Sequence, residues 1–280
     1  MRPVSRITGI SATYGTRSKE LVSQRIYGLA LGYEDLNDHD QWRHDPFLGV
    51  LTGKPQTQQS AAGKSTLSRM EFGTRETNRY SKIEVDTTAI DGLLVDLFVE
   101  AFATAPARIV LDLDATDLPL HGHQEQRFFH SYYDGYCYLP LYIFCGEHLL
   151  CSRLRPANQD ASAGSVEEVA RIVEQIRTAW PSVQVILRAD SGFCRDGLMS
   201  WCEANKVDFV FRFARNTRLE SLLEPSMMLA HAQQTSTGRA ARVFAEFDYE
   251  TTSGSWSRSR RVIGKAEVLG NKENLRLVVT

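Results

Sequence analysis

Acidic residues stand at the ends of two predicted strands. Asp112, Asp114 and Asp117 lie in or just after a short apolar run at 109–113, and Asp190 closely follows another such run. In α/β sheets, sites form outside the carboxyl ends of the strands, so these carboxylates can converge there. Alternation along the strand places Asp112 and Asp114 on the same face. A hard cation such as Mg²⁺ or Mn²⁺ would neutralise such a cluster, whereas turn formation or helix capping explains the same aspartates equally well.

Histidines nearby are candidate ligands for a different metal, zinc. His121 and His123 lie on one side of an extended segment, and His130 follows a few residues later. Together with Asp114 or Asp117 they could form a zinc hydrolase centre. Hydrogen-bonded surface histidines have the same spacing, so the sequence leaves both interpretations open.

Basic residues of three segments are candidates for contacts with phosphate. One segment is interleaved with aromatic residues, one follows the fifth predicted strand, and one lies within 251–265, which contains no acidic residue. Such side chains suit a phosphate backbone and stacked bases, and beside an acidic metal site they would hold a polyanion over it. The candidate DNA-binding residues are Arg127, Arg212, Arg215, Arg258, Arg260 and Arg261.

Composition is that of an ordinary globular protein. The 280 residues are 42% hydrophobic and 24% charged, which excludes a wholly disordered or collagen-like chain. The net charge of −2 counts against a dedicated nucleic-acid binder, which would more often be basic throughout. The five cysteines lack C-x-x-C spacing, which predicts buried thiols in a reducing compartment. The first residues lack the apolar stretch of a signal peptide, and no membrane span is apparent. We therefore expect a soluble cytoplasmic protein that has no membrane partner.

The order of predicted elements indicates an α/β fold with a mixed sheet. Residues 1–105 are predicted to be mainly helical. Residues 106–216 read as strand, hairpin, helix, strand, helix and strand, and residues 217–280 read as a β-rich segment. The carboxylates lie in the middle region, so its strands must position them.

Five blocks of the chain carry a family resemblance. They are GYEDLNDHD (32–40), DLDATDLPLHG (112–122), YYDGYCYLPL (132–141), LRPAN (154–158) and LRADSGF (187–193). These blocks resemble the DDE transposases of bacterial insertion sequences, specifically the 1380 group. The resemblance implies a ribonuclease-H-like core interrupted by a β-rich insertion near the C-terminus. It also implies DNA transposition by a nucleoid-associated bacterial enzyme, which would bind the double-stranded DNA of terminal inverted repeats and target, with a homodimer in the synaptic complex.

The same resemblance assigns residue roles. Asp114 and Asp190 match the first two catalytic carboxylates, which hold Mg²⁺ (or Mn²⁺) for strand cleavage and strand transfer, while Asp112, Asp117 and His121 would lie around them. The third carboxylate, a Glu in a Tyr-x-x-Arg-x-x-x-Glu setting, is not found before Thr280. We therefore expect this chain to be inactive by itself. A metal-dependent nuclease or phosphoesterase of the same fold, and a catalytically dead DNA-binding remnant, are the alternatives.

Overall fold

The computed structural model describes residues 12–52, 60–71, 86–252, 254–270 and 272–280. The chain separates into two compact units, which divide between Thr87 and Thr88. The sequence placed the end of the helical region at residue 105, whereas the helix that begins at Thr87 packs with the second unit through Val95 and Phe98.

The first unit is helical. Its described helices are α1 (Ala12–Ala30), α2 (His39–Trp42), α3 (Pro46–Leu51) and α4 (Lys64–Glu71). Gln24 of α1 is a buried polar link: its side chain contacts the His39 ring and exchanges hydrogen bonds with both backbone groups of Ala62. Burial lowers the pKa of His39, so the imidazole is kept neutral inside this unit.

The second unit is built on an eight-stranded mixed sheet with strand order β6-β5-β1-β7-β8-β11-β10-β9. Strands β1, β7 and β8 are parallel and the other neighbours are antiparallel, which confirms the mixed α/β fold predicted from the sequence. Three short strands form a separate small sheet, in the order β2-β4-β3. The strands are β1 (Arg108–Ala115), β2 (Leu118–Pro119), β3 (Phe128–His130), β4 (Gly135–Tyr138), β5 (Leu141–Cys145), β6 (His148–Arg153), β7 (Gln184–Ala189), β8 (Asp208–Phe213), β9 (Ala241–Tyr249), β10 (Arg260–Leu269) and β11 (Lys272–Val279).

Four helices share one hydrophobic core with the large sheet. They are α5 (Thr87–Glu100), α6 (Ser165–Ala179), α7 (Asp196–Ala204) and α8 (Thr217–Thr237). The sheet residues that point into this core include Leu111 of β1, Leu187 of β7 and Phe211 of β8. The residues that alternate with them point to the opposite face, where Asp114 and Arg212 are exposed. None of the described helices is long and apolar enough to cross a membrane.

The segment 217–280 holds both a helix and strands. The predicted strands are confirmed as β9, β10 and β11, and β11 pairs with β8, so they extend the same sheet. Helix α8 was not predicted, because Pro225 and many polar residues obscure its apolar stripe. The stripe exists nonetheless: Leu219, Leu223 and Ala230 are fully buried at helical spacing.

All five cysteines are free thiols, as predicted. Four are buried and Cys145 is half-buried. Burial raises the pKa of Cys151 and of Cys202 to about 12 and that of Cys194 to about 11. These thiols are therefore protonated at neutral pH and are structural rather than reactive.

Candidate functional site

Asp114 and Asp190 occupy neighbouring positions at the carboxyl ends of two parallel strands. Leu113 of β1 lies opposite Ala189 of β7, so the next residue of each strand falls in the next cross-strand position. Adjacent strands lie about 4.8 Å apart, and residues directly opposite share a face of the sheet. Both aspartates are exposed. The register therefore brings the two sequence-predicted carboxylates side by side on the open face.

Asp190 is held by the turn that follows it. One oxygen, Oδ1, accepts a hydrogen bond of 2.8 Å from the backbone N–H of Gly192, and Oδ2 has no hydrogen-bond partner within the described part of the chain. A Cβ at position 192 would lie 3.0 Å from Oδ1 and 3.3 Å from the Cβ of Ala161. Glycine in the D-S-G sequence thus permits the close approach that orients this carboxylate.

Tyr133 marks the negative potential of this region. Burial raises the pKa of its phenol, and the charges of Asp117, Asp114 and Asp190 raise it further. Its hydroxyl donates a long hydrogen bond of 3.4 Å to the carbonyl of Ala115. The tyrosine is therefore a neutral hydrogen-bond donor beside three carboxylates. Tyr133 lies within the YYDGYCYLPL block (132–141), which is the sequence signal that could have indicated it as a site residue.

Asp112 is committed to an ion pair. Arg188 of β7 lies directly opposite and donates to both of its carboxylate oxygens, at 2.5 and 2.7 Å. This fork neutralises Asp112 next to Asp114 on the same strand face. Asp112 is thus a neighbour whose charge is already balanced, while Asp114 has no hydrogen-bond or ion-pair partner among the described residues.

The described residues contain no group of three or more His, Cys, Asp or Glu side chains that could hold a metal ion. The zinc interpretation of His121, His123 and His130 is therefore not supported by their placement. No third carboxylate of the described ranges is placed with Asp114 and Asp190 so that the three could hold one metal ion. The oxygen donors of these two aspartates fit Mg²⁺ or Mn²⁺ in chemical type, and they form a partial set of ligands.

Arg212 extends the row of charged residues across the sheet. Ala189 of β7 lies opposite Phe211 of β8, so Arg212 falls opposite Asp190 on the same open face. Arg212, Arg215 and Arg276 line a small cleft with Ser191, and within the described residues none of the three has an acidic partner. Arg276 was not predicted from the sequence, because only the pairing of β11 with β8 brings it to this cleft.

The arginines of the acid-free stretch require a correction. Arg260 is buried, with 2% of its side chain exposed, and it forms ion pairs with Asp196 and Glu203 of α7. A buried guanidinium in this position does not reach a phosphate, so the prediction of DNA contact by Arg260 is wrong. Arg258 and Arg261 are exposed, but they are paired with Glu203 and Glu246. The stretch contains no acidic residue of its own, but acidic residues of other elements lie against it in the folded chain.

Comparison with known proteins now gives the family. Residues 10–280 match the model of the family described as transposase DDE domain group 1, so the chain belongs to that family. No curated protein sequence matches it significantly.

Solved structures give weaker likenesses. A piggyBac transposase synaptic complex with hairpin DNA aligns with 99% of this chain and 55% of its own, at 12% identity and a TM-score of 0.45. The Mos1 transposase paired-end complex with the left transposon end aligns over 73% of this chain and 61% of its own, at 9% identity and a TM-score of 0.27. The Mos1 mariner paired-end complex with Mn aligns over 71% and 78%, at 8% identity and a TM-score of 0.28. The chain thus spans less than two thirds of the length of the first two of these transposases.

Proposed function

We propose that this chain carries the site of metal-dependent phosphoryl transfer on DNA during transposition, with Asp114 and Asp190 as the metal ligands. The observation that carries the proposal is the cross-strand juxtaposition of these two exposed carboxylates in a chain of the transposase DDE-domain family. When bound, Mg²⁺ or Mn²⁺ would activate the attacking hydroxyl and stabilise the leaving oxygen. The aspartates themselves need to act neither as acid nor as base.

The neighbouring side chains support the same assignment. Arg212, opposite Asp190, presents a guanidinium that has no acidic partner in the described part of the chain and that suits a phosphate of the bound strand. Tyr133 stays protonated, so it adds no further negative charge beside the carboxylates. The Arg188 fork on Asp112 limits the number of uncompensated charges at the site, with Asp117 and His121 retained as residues around it.

The finer assignments belong to the same proposal. We assign the chain to the 1380 group of bacterial insertion sequences, with residues 106–216 as the ribonuclease-H-like core and 217–280 as the inserted segment. Its DNA would be the terminal inverted repeats and the target, held by a homodimer in the synaptic complex at the bacterial nucleoid. A nuclease of the same fold would use the same carboxylates, and a paired-end substrate incubated with and without target plasmid separates the two activities.

Linked binding of Mn²⁺ and DNA tests the proposal. In a phosphoryl-transfer site the scissile phosphate and the two aspartates share the ion, so each ligand must tighten the binding of the other. We expect Mn²⁺ to raise the affinity for duplex DNA at least roughly fivefold, compared with EDTA at equal ionic strength. Asp114→Asn and Asp190→Asn should each remove this gain while retaining affinity for DNA in EDTA. Fluorescence anisotropy of a labelled duplex measures both quantities.

Asp208→Asn is the matched control, because Asp208 is exposed on β8 at the opposite end of the strands. It should retain the full gain. A second candidate, DNA binding without catalysis, is favoured because no described carboxylate completes a metal-binding group with Asp114 and Asp190. That candidate requires an affinity that is independent of Mn²⁺ and indifferent to both aspartate substitutions.

A further inference from the structure

The small β2-β4-β3 sheet exposes a face of aromatic side chains. Phe129 lies opposite Tyr136, and Leu118 lies opposite Tyr138, so alternation places all four on one side. We call these four residues the aromatic face. Phe129 is 54% exposed and Tyr136 is 48% exposed, and their rings meet edge to face at 5.8 Å. Large rings left open to water in this way mark a site of interaction.

The opposite side of the small sheet is anchored to the carboxylate region. Cys137 of β4 is buried with Leu139 and Ala157, and Ala115 and Tyr133 pack against that cluster. Strand β2 begins one residue after Asp117. A strand of DNA held at Asp114 and Asp190 would therefore leave the site beside this sheet.

A cation, Arg127, lies on the aromatic face. The Arg127 guanidinium lies 4.6 Å from the centre of the Tyr136 ring and donates a hydrogen bond to the carbonyl of Gly122. Within the described residues it has no carboxylate partner. An uncompensated cation over a ring suits a ligand that has both a flat π-surface and a phosphate.

We propose that the aromatic face binds unpaired nucleobases of the DNA strand held at the carboxylates, with Phe129 and Tyr136 as the stacking rings and Arg127 on the adjoining phosphate. The proposal rests on the proposed function, since it names the form of DNA that the same site takes. An intact duplex exposes base edges and phosphates, whereas unpaired bases expose the flat faces on which aromatic rings stack. A sheet face with exposed aromatics and a flanking arginine is a general means of holding unstacked bases.

The experiment compares single-stranded and duplex DNA on the full 280-residue chain. The probe is a short single strand containing 2-aminopurine, whose fluorescence falls when the base stacks, beside a labelled duplex of the same sequence. We expect Phe129→Ala with Tyr136→Ala to lower single-strand affinity about tenfold and to abolish the quenching, with duplex affinity unchanged. The slope of affinity against salt should also stay constant, because no phosphate contact is lost.

Three further variants make the test decisive. Phe129→Trp with Tyr136→Phe keeps the rings and should retain affinity and quenching. Phe47→Ala removes a ring of similar exposure from the first unit and should change neither. Arg212→Ala with Arg215→Ala should lower duplex affinity and flatten its salt slope by about one unit per lost contact, while quenching at low salt persists.

The contrary results are distinct. Wild-type single-strand affinity in the double alanine variant overturns the proposal, as does an equal loss for single strand and duplex. A change in oligomeric state with unaltered single-strand binding would show instead that this face contacts protein. If the wild-type chain binds neither form of DNA, the proposed function itself fails.

Discussion

Replacing Arg260 by methionine is expected to lower the free energy of unfolding of the second unit by about 3–5 kcal/mol, the cost of removing one partner of a buried ion pair. Arg260 donates to Asp196 at 2.7 Å, to Glu203 at 2.8 Å and to Ser200 at 3.0 Å, and its guanidinium lies 5.6 Å from the Trp256 ring centre. The variant leaves both carboxylates without this donor. Urea denaturation followed by far-UV circular dichroism measures the loss.

Arg261 is the control on the same strand. Its side chain is 50% exposed and pairs with Glu246 at the surface, where solvent screens the pair, so Arg261→Ala should cost far less stability than Arg260→Met. If the two substitutions lower the free energy of unfolding equally, the structural role assigned to Arg260 is refuted.

The stability contributed by the ion pair between Arg260 and Asp196 should depend on pH. Burial opposes ionisation of Asp196, yet hydrogen bonds from Ser257 and Arg260 hold its pKa below the usual 3.8. A carboxyl with a lower pKa in the folded state stabilises the fold above its ordinary value, and this contribution disappears as pH falls through the folded value. The difference in stability between wild type and Arg260→Met should therefore be full at neutral pH and shrink below about pH 4.

Replacing Arg155 by methionine is expected to cost about 3 kcal/mol, because three carbonyl oxygens lose a charged donor. The residue is only 6% exposed and donates to Leu139, Ala161 and Ala163 at 2.9, 3.1 and 2.5 Å. Burial lowers the pKa of this guanidinium. Ala161 lies close to Gly192, whose backbone N–H holds Asp190, so the loss should also weaken the gain in DNA affinity from Mn²⁺.

Arg195→Ala is the control that separates a loss of stability from a loss of the Mn²⁺-dependent gain in DNA affinity. Arg195 pairs at 2.8 Å with Asp160, which lies in the loop that contains Ala161 and Ala163. Both side chains of this pair are 48% exposed. This variant should cost less than about 1 kcal/mol and retain the Mn²⁺ gain. An Arg155→Met protein as stable as wild type would show that the loop does not depend on these hydrogen bonds.

The strands that carry the carboxylates were predictable because each apolar run ends near an aspartate. Their alignment was not, since pairing of Leu113 with Ala189 joins segments far apart in sequence. The same limit explains the error at Arg260, whose acidic partners come from α7 and not from its own stretch. Local patterns report which residues face inward, whereas long-range register decides which charges meet.

Anomalous diffraction from crystals of the chain grown with Mn²⁺ tests the central claim most directly. We predict a peak within coordination distance of both the Asp114 and the Asp190 carboxylates, and its disappearance in Asp190→Asn crystals. A peak held by His121 and His123, or no peak that touches both aspartates, would contradict the assignment of these residues as the metal ligands of a phosphoryl-transfer site.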